Sequence, residues 1–439
     1  MRKHYSLCMR IVALVCLLSL ISLEAAAQWK LLKSLPATHA MFITKSGNML
    51  MSDFDPSRKG GIFISKDKGE TWEKRDIADY NYCGFYEFEN YVFAIGYAGR
   101  IARSADSGET WELINYTLPL KENGVFDDQL SESAWCTSME WFNGKLYITD
   151  YTGGGVLYSE DMGESWKMTD LESLRVREVE GKMYVDNLYN LESFNGKLYL
   201  FGAFFTFEFV ESDMKWVQKR NDSNFMAQST VFNNKMYCGR SIMNQTEKAP
   251  FLERTADGET WEWVPRPEGQ LDNNVRELYN EGKNLYVGLQ SSGLYYTDNE
   301  GQSWAKISEG LPIYNADYPD QYISPLTITS DDEYLYVAMF EFGRDDSGIY
   351  RMAKKDLPPT VTSIDNLSAN PDFKVYADES YLYISGNRDA VVSVFDVYGK
   401  KMNVVAQDGL ANIQHLASGV YVFEISSKDG KAVGKFLKK

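Results

Sequence analysis

One short motif recurs along most of the chain and restricts its fold more than any other feature. Each copy runs from Ser or Thr through Asp or Asn and Gly to a Ser-Trp or Thr-Trp pair. The five copies occupy residues 65–72, 104–111, 159–166, 255–261 and 297–304, and a degenerate copy occupies 212–216. Their marker residues are Asp67, Trp72, Asp106, Trp111, Asp161, Trp166, Asp257, Trp261, Asn299 and Trp304. Repetition at this spacing is typical of folds built from similar units.

The motif has the chemistry of a tight turn between two strands. An Asp or Asn side chain accepts hydrogen bonds from backbone amides of the turn, and Gly takes the positive φ that other residues resist. The Trp then begins the returning strand with a large ring that can pack between sheets. Asn-Gly pairs between apolar runs, as at residues 143–144 and 195–196, predict a second hairpin in each unit. Each unit should therefore contain four antiparallel strands, which is the composition of a propeller blade.

The spacing of the units predicts their number. The motif tryptophans at 72, 111, 166, 216, 261 and 304 are separated by 39 to 55 residues, and propeller blades have about 40–50 residues. We predict an all-β, seven-bladed β-propeller, with six or eight blades as the alternatives. The last unit, around residues 348–351, lacks the Trp turn. We expect the strand that begins at Trp29 to complete this unit and close the ring, which removes exposed sheet edges.

The Trp turns resemble the Asp-box, or BNR repeat, of sialidases and related propellers. The resemblance implies that the Asp-box residues are structural, and that ligands bind on the opposite side of the ring. A sialidase itself is not expected, because the chain has Arg100-Ile101-Ala102 but no Arg-Ile-Pro sequence. One acidic residue per turn supplies too few oxygen ligands for calcium. Neither a metal nor a cofactor is predicted.

The first 27 residues have the pattern of a signal peptide. Arg2, Lys3 and Arg10 form a basic leader, followed by an apolar stretch at 11–23 and three alanines at 25–27. We expect cleavage after Ala27, and a lipoprotein processed at Cys16 is the alternative. The remainder has 42 basic and 61 acidic residues, a net charge of −19, which opposes binding to nucleic acid and to anionic membranes. No later segment is apolar enough to cross a membrane.

The chain changes character after the Pro-Pro pair at 358–359. We predict a propeller over 28–356, a linker over 357–365 and a small Ig-like β-sandwich over 366–439. Three features resemble the C-terminal sorting domain of type IX secretion cargo in Bacteroidetes: Tyr-Gly-Lys at 398–400, Ser-Gly-Val-Tyr at 418–421 and the terminal Lys-Lys at 438–439. The resemblance implies contact with the secretion machinery and a cell-surface or secreted location, with the periplasm as the alternative. An ordinary Ig-like sandwich remains the other interpretation, because Tyr-Ala-Asp-Glu at 376–379 replaces the family's Tyr-Pro-Asn-Pro.

Functional residues are expected in the long loops opposite the Asp-boxes, because irregular loops on a rigid scaffold commonly carry function. The catalytic candidates are Asp127, Asp128, Asp317 and Asp320, and the ligand-binding candidates are Tyr116, Tyr314, Tyr318 and Arg344. Only His39 and His415 follow the leader, which argues against a His-based triad or zinc site. We predict a propeller that binds a glycan or a protein. A glycoside hydrolase with paired carboxylates and an adhesin-like structural protein are the alternatives.

Overall fold

The structure is a computed structural model, and its regular elements are almost all β-strands. It describes residues 29–438 except 35–37, 56, 58, 98, 115–134, 151–154, 180, 186, 222–224, 242–250, 268–273, 342, 359, 361–373, 378–380, 386–390, 397–399, 405, 408–409, 418 and 428–429. The predicted signal peptide lies outside these residues. The chain forms two compact units that meet between Thr360 and Val361, which lies inside the predicted linker.

The first unit contains seven four-stranded antiparallel sheets among its described residues, numbered here in chain order. The strand β1 (Lys30–Ser34) belongs to the last of them. Sheet 1 has β2 (Thr38–Ile43), β3 (Met49–Asp53), β4 (Ile62–Ser65) and β5 (Glu73–Lys74), and sheet 2 has β6 (Tyr82–Phe88), β7 (Tyr91–Gly96), β8 (Ile101–Ser104) and β9 (Glu112–Leu113). Sheet 3 has β10 (Cys136–Phe142), β11 (Lys145–Asp150), β12 (Gly155–Ser159) and β13 (Lys167–Met168).

The next sheets repeat this order after a 3₁₀ turn (Leu171–Leu174) and a small hairpin of β14 (Arg175–Val179) and β15 (Lys182–Val185). Sheet 4 has β16 (Leu188–Phe194), β17 (Lys197–Gly202), β18 (Phe205–Val210), a 3₁₀ turn (Glu211–Asp213) and β19 (Lys215–Asn221). Sheet 5 has β20 (Phe225–Phe232), β21 (Lys235–Ser241), β22 (Leu252–Thr255) and β23 (Glu262–Trp263). Sheet 6 has β24 (Val275–Glu281), β25 (Asn284–Leu289), β26 (Gly293–Thr297) and β27 (Ala305–Lys306).

Sheet 7 joins the two ends of the first unit. It follows a second hairpin, of β28 (Ile313–Asn315) and β29 (Tyr318–Tyr322), and has β30 (Ser324–Ser330), β31 (Tyr334–Phe340) and β32 (Gly348–Ala353), before a 3₁₀ turn (Lys354–Asp356). Its fourth strand is β1, which pairs antiparallel with β32. Neighbouring first strands contact one another around a closed cycle of β2, β6, β10, β16, β20, β24 and β30. This radial arrangement confirms the expected β-propeller.

The core of the propeller lies between the sheets. Seven clusters of buried apolar side chains each join two adjacent sheets, including one between sheet 7 and sheet 1. The second strands supply equivalent, fully buried aromatic rings to these clusters, namely Phe93, Tyr147, Tyr199, Tyr237, Tyr286 and Tyr336. Alternation along each strand sends neighbouring side chains to opposite faces, so every sheet contributes to the clusters on both of its sides.

The two sides of the ring carry different connections. The hairpins between first and second strands and the Trp turns between third and fourth strands share one side, called here the lower side. The second-to-third strand loops and the connections between sheets share the other, called the upper side. Both small hairpins, β14–β15 and β28–β29, belong to connections on the upper side. The predicted separation of turns and long loops onto opposite sides therefore follows directly from the strand order.

The second unit consists of two four-stranded sheets. One contains β33 (Lys374–Ala377), β34 (Tyr381–Ser385), β38 (Leu410–Asn412) and β37 (Ala406–Gln407), in that spatial order. The other contains β36 (Lys401–Met402), β35 (Val391–Asp396), β39 (Gly419–Ser427) and β40 (Gly430–Lys438). A buried cluster that includes Leu382, Val394 and Phe423 draws on both sheets.

Candidate functional site

The first strands of the seven sheets surround a cavity of ≈ 400 Å³ at the centre of the propeller. Each of these strands has a register shift near its upper end, at the same position relative to the second strand. A β-bulge of this kind redirects a side chain and increases the local twist. Residues at or beside the shifts, such as His39, Cys83, Thr137, Tyr189 and Leu326, line the cavity.

Four aromatic side chains form a row on the upper side of the ring, and one of them, His39, lines the cavity. Phe54 lies 5.6 Å from His39 between ring centroids, and His39 stacks on Tyr97 at 6.2 Å and 20°. Tyr97 in turn stacks on Trp135 at 5.0 Å and 16°. Burial lowers the pKa of His39, so its ring is neutral at neutral pH. The row, called here the aromatic row, is half-buried and follows the upper ends of sheets 1 to 3.

Hydrogen bonds fix the aromatic row to the first strands. The Nδ1 atom of His39 donates to the carbonyl of Tyr82 at 3.3 Å. The thiol of Cys83 on β6 donates to the carbonyl of Cys136, the residue after Trp135, at 3.1 Å, and the pKa of this thiol is raised to about 12 because burial disfavours the thiolate. Tyr97 and Trp135 also form a β-bridge. The rings of His39, Tyr97 and Trp135 therefore have set positions, as expected of a preformed binding surface.

Three glutamates lie deeper, on first strands that surround the cavity: Glu140 on β10, Glu192 on β16 and Glu277 on β24. Burial raises the pKa of Glu140 to about 7 and that of Glu192 to about 8. Burial likewise raises the pKa of Glu277 to about 8. These carboxyl groups are unlike ordinary surface acids, which are ionised well below neutral pH.

Of the predicted catalytic and binding residues, Tyr116, Asp127 and Asp128 lie outside the described residues. Four others lie on the β28–β29 hairpin, where Tyr314 and Tyr318 are 49% and 55% exposed. Asp317 occupies the turn of this hairpin. The Oδ1 atom of Asp320 lies 4.0 Å from the Nζ atom of Lys306, and the side chain of Asp320 is 80% exposed. The structure thus brings these four residues together on one hairpin of the upper side.

Arg344 connects two upper-side segments. It binds Asp346 through two hydrogen bonds of 2.6 and 2.7 Å. Its guanidinium also donates to the carbonyl groups of Ile313, at 2.9 Å, and of Tyr314. Because these bonds use both sides of the planar donor group, Arg344 holds the β28–β29 hairpin against the loop between β31 and β32.

The Trp turns share one hydrogen-bond pattern on the lower side. In the third copy, Asp161 accepts from the Ser165 amide at 2.9 Å, the Ser165 hydroxyl at 2.6 Å and the Ser159 hydroxyl at 2.7 Å. Equivalent bonds are made by Asp67, Asp106, Asp257 and Asn299. The rings of Trp72, Trp111, Trp166, Trp261 and Trp304 are only half-buried. The fully packed ring is Trp216 of the degenerate copy, whose Nε1 donates to Thr169 Oγ1 at 2.9 Å.

Sequence reasoning missed the aromatic row and the three glutamates. The rings of the row come from four separate segments of sheets 1 to 3, which only the curvature of the ring brings together. The glutamates did leave a signal, because Glu140 and Glu192 each stand two residues before a Phe-Asn-Gly hairpin. A charged residue at an inner-strand position that repeats between units could have been noticed. Within the described residues, no cluster of three His, Cys, Asp or Glu side chains could hold a metal ion.

Comparisons with known proteins relate the second unit to a domain family and the first unit to solved structures of similar fold. Residues 378–439 match the secretion system C-terminal sorting domain. This confirms the expected sorting domain, and it supports export to the cell surface or the medium. No curated protein matches the chain significantly in sequence. In the described residues, no helix is long and apolar enough to span a membrane.

Three solved structures show the similarity of fold. YCF48 bound to D1 peptide has a TM-score of 0.50 and 14% identity, over 74% of this chain and 96% of that one. The extracellular domain of the hybrid two-component system BT3049 from B. thetaiotaomicron has a TM-score of 0.53 and 13% identity, over 92% of this chain and 54% of that one. The corresponding domain of BT4673 gives 0.51 and 11%, over 84% and 46%. This chain spans about half the length of the two B. thetaiotaomicron domains.

Proposed function

We propose that this chain is an exported, surface-associated, seven-bladed propeller of the Asp-box type that binds a glycan or protein ligand on its upper side. The seven sheets serve as the blades, and β1 closes the ring. The second unit serves as an Ig-like sorting sandwich over 366–439, after a propeller over 28–356 from which residues 1–27 have been removed. The Asp-box residues have a structural role on the lower side.

The aromatic row is the observation that carries this proposal. It presents the stacked rings of His39, Tyr97 and Trp135 on the side that also carries both small hairpins, and His39 lines the central cavity. Large rigid rings give much contact area for little loss of conformational freedom, which suits them to ligand contact. Exposed Tyr314 and Tyr318 on the clamped β28–β29 hairpin would extend the contact surface. A solved propeller of similar fold, YCF48, is bound to a peptide, which agrees with a ligand-binding use of the scaffold.

The glycoside-hydrolase alternative has less support. That mechanism needs two carboxyl groups facing each other across the bound sugar, about 5–10 Å apart. Asp317 and Asp320 share one hairpin instead of facing each other across a cleft. Asp127 and Asp128 lie outside the described residues and could still take part. Binding is therefore the function that the described geometry supports best.

Binding by variants tests the proposal. Full-length protein is measured against arrays of polysaccharides and of peptides, and the ligand found is then titrated. We expect Tyr97→Ala or Trp135→Ala to weaken binding of that ligand by at least tenfold, because each removes a stacked ring. Trp263→Ala is the matched control, since Trp263 is 62% exposed on the outer strand β23, away from the cavity.

Two outcomes would contradict the assignment. Unchanged affinity in both row variants, with the folded state verified by circular dichroism, would remove the aromatic row from the site. Release of shortened sugars from a bound polysaccharide, lost in Asp127→Asn or Asp317→Asn, would establish the hydrolase instead.

A further inference from the structure

Six of the seven first strands place an equivalent residue beside the central cavity. In each of them it is the residue that directly follows the register shift, namely Ala40, Gly84, Asn190, Gln228, Glu277 and Thr327. All six line the cavity. Because the shifts occur at the same position near the upper ends of the strands, these residues form one layer, called here the inner layer.

The inner layer has a small side and a polar side. Sheets 1 and 2 contribute Ala40 and Gly84, whereas sheets 4 to 7 contribute polar residues. In a ring of seven sheets, the boundary between sheets 5 and 6 lies across the centre from sheet 2. The small residues therefore leave space opposite Gln228 of sheet 5 and Glu277 of sheet 6.

Two of the polar residues already bond to neighbouring sheets. The side-chain oxygen of Asn190 accepts from Ser138 at 2.8 Å, and its amide donates to Ser229 at 2.6 Å. Thr327 donates to the carbonyl of a sheet 1 residue at 3.4 Å. Gln228 and Glu277 differ, because among the described residues neither forms a hydrogen bond to another side chain or an ion pair. Both are half-buried, so their polar ends gain free energy from a partner that enters the cavity.

The described lining of the cavity offers hydrogen-bond donors and acceptors but no cation. No lysine or arginine is among its residues, and Arg276, next to Glu277 in the chain, is exposed outside it. Such a lining does not favour an anionic ligand. The carboxamide of Gln228 both donates and accepts, and the carboxyl group of Glu277 accepts. A ligand that satisfies both carries groups that donate and accept, as hydroxyl groups do.

Apolar residues complete the lining from sheets 1, 2 and 7, including Met41, Phe42, Phe85, Leu326 and Ile328. A neutral sugar has the matching character, because hydroxyl groups surround its ring and C–H bonds cover a face of it. The cavity volume of ≈ 400 Å³ lies toward the lower end for ligand pockets, which measure about 300–1,000 Å³. It suits a single sugar residue better than a folded segment of a partner.

We propose that the central cavity binds one neutral sugar residue, with Gln228 and Glu277 as its hydrogen-bonding pair. This inference rests on the proposed function and names a glycan as the ligand of the upper side. His39 belongs to the aromatic row and also lines the cavity, so the row and the cavity are adjacent. The terminal sugar occupies the cavity, and the following sugars pack their C–H faces against the aromatic row.

The first experiment detects occupancy of the cavity in full-length wild-type protein with ¹³C-methyl methionine. Glucose, galactose, mannose and xylose are each added to about 50 mM, which fills a millimolar site. We expect at least one of them to shift the methyl resonance of Met41, which lines the cavity, and not that of Met168 on the outer strand β13. Galacturonic acid and N-acetyl-lysine amide, the anionic and cationic probes, should leave Met41 unchanged.

Substitutions then test the hydrogen-bonding pair with the sugar that shifts Met41. Gln228→Met and Glu277→Met keep the approximate volume but remove the polar ends, and each should weaken binding by about tenfold or more. Glu277→Gln keeps a polar end without a charge, so it should retain the affinity to within about threefold. Gln218→Met is the matched control, because it makes the same change at an exposed residue of the outer strand β19.

The proposal is overturned if no neutral sugar shifts Met41, a result that needs no variant to fold. It is also overturned if folded Gln228→Met and Glu277→Met variants bind the sugar as the wild type does. Binding of the cationic probe that disappears in Glu277→Gln would replace the sugar by a lysine-bearing peptide.

Failure of this inference is distinguishable from failure of the proposed function. The variants Tyr97→Ala and Trp135→Ala test the aromatic row, and neither residue lines the cavity. A ligand that requires the aromatic row but leaves Met41 unshifted would remove the cavity site and keep the proposed function. A sugar that shifts Met41 while both row variants bind normally would do the reverse.

Discussion

A single acceptor side chain organises each Trp turn, and the fifth copy shows which of its properties matter. Asn299 accepts from the Ser303 amide at 3.0 Å and from the Thr297 hydroxyl at 2.8 Å, much as Asp161 does with its own partners. Its amide nitrogen also reaches Ser303 Oγ at 2.8 Å. The turn therefore requires a short side chain with a well-placed oxygen. A negative charge is not required.

This comparison leads to a prediction for Asp161. Asp161→Asn should keep most of the turn's stability, whereas Asp161→Ala should cost about 1 kcal/mol, because it leaves the Ser165 amide without its acceptor. Urea unfolding of both variants at pH 7 measures the difference. Hydrogen bonds from Ser165 lower the pKa of Asp161 to about 2, so the wild-type advantage over Asn should disappear as pH falls through that value. Equal losses in Asn and Ala variants would show that charge, and not geometry, is needed.

At the scale of the element, the Trp turn is also a contact between sheets. The glycine of each copy has positive φ, and a Cβ there would collide with a residue of the preceding sheet or connection. At Gly108 the collision is with Leu50 at 2.5 Å, and at Gly163 it is with Ile114 at 2.5 Å. Glycine is thus required for two reasons, the positive φ of the turn and the close approach of a side chain from the preceding sheet or connection. The repeated motif therefore determines how adjacent sheets pack as well as how each sheet turns.

Two glycines allow these two requirements to be tested separately. Gly108 and Gly47 both have φ of +90°, but a Cβ at Gly47 would have no atom within 4 Å. Gly47→Ala should lower the free energy of unfolding by about 1–2 kcal/mol, because only the backbone conformation becomes strained. Gly108→Ala should lower it by that amount and by about 1–3 kcal/mol more, because the added Cβ overpacks against Leu50. Denaturant unfolding measures both losses, and similar values would mean that the contact between sheets 1 and 2 yields at little cost.

For the whole molecule, the decisive contact is the one that closes the ring. Trp29 is 5% exposed within the cluster between sheets 6 and 7. Its Nε1 donates to the Ile307 carbonyl at 2.5 Å. Behind it, β1 covers the outer edge of β32, so the chain's first described strand completes the last sheet of the propeller. The stability of sheet 7 consequently depends on residues from both ends of the propeller.

Trp29→Ala should therefore destabilise the whole propeller. We expect a loss of about 3–5 kcal/mol, typical of truncating a buried aromatic side chain, seen as a single unfolding transition at lower denaturant. Trp263→Ala, on an exposed outer strand, should change the free energy of unfolding by less than about 0.5 kcal/mol. A Trp29 variant as stable as the wild type would mean that β1 is a dispensable addition to sheet 7.

Features that depend on residues close together in the chain were predictable from the sequence. Features that arise when the closed ring brings distant segments together were not. The turns around Asp67 and Asp106 were predictable because every bond in them lies within eight residues. The propeller followed from their repetition. The aromatic row was not predictable, because Phe54, His39 and Trp135 meet only through the curvature of sheets 1 to 3. The clamp on Arg344 was missed for a similar reason, since its partners at 313 and 314 lie on another connection.

The pairing of β1 with β32 also affects the order in which contacts form during folding. The indole of Trp29 and its carbonyl acceptor are 278 residues apart in the chain. A contact between such distant segments forms late, because the intervening chain must first be ordered to bring them together. Strand β1 therefore stays unpaired until nearly the entire propeller has formed. Until β1 and β32 pair, the edges of both strands are uncovered, and the molecule is then most open to pairing with a strand from another copy.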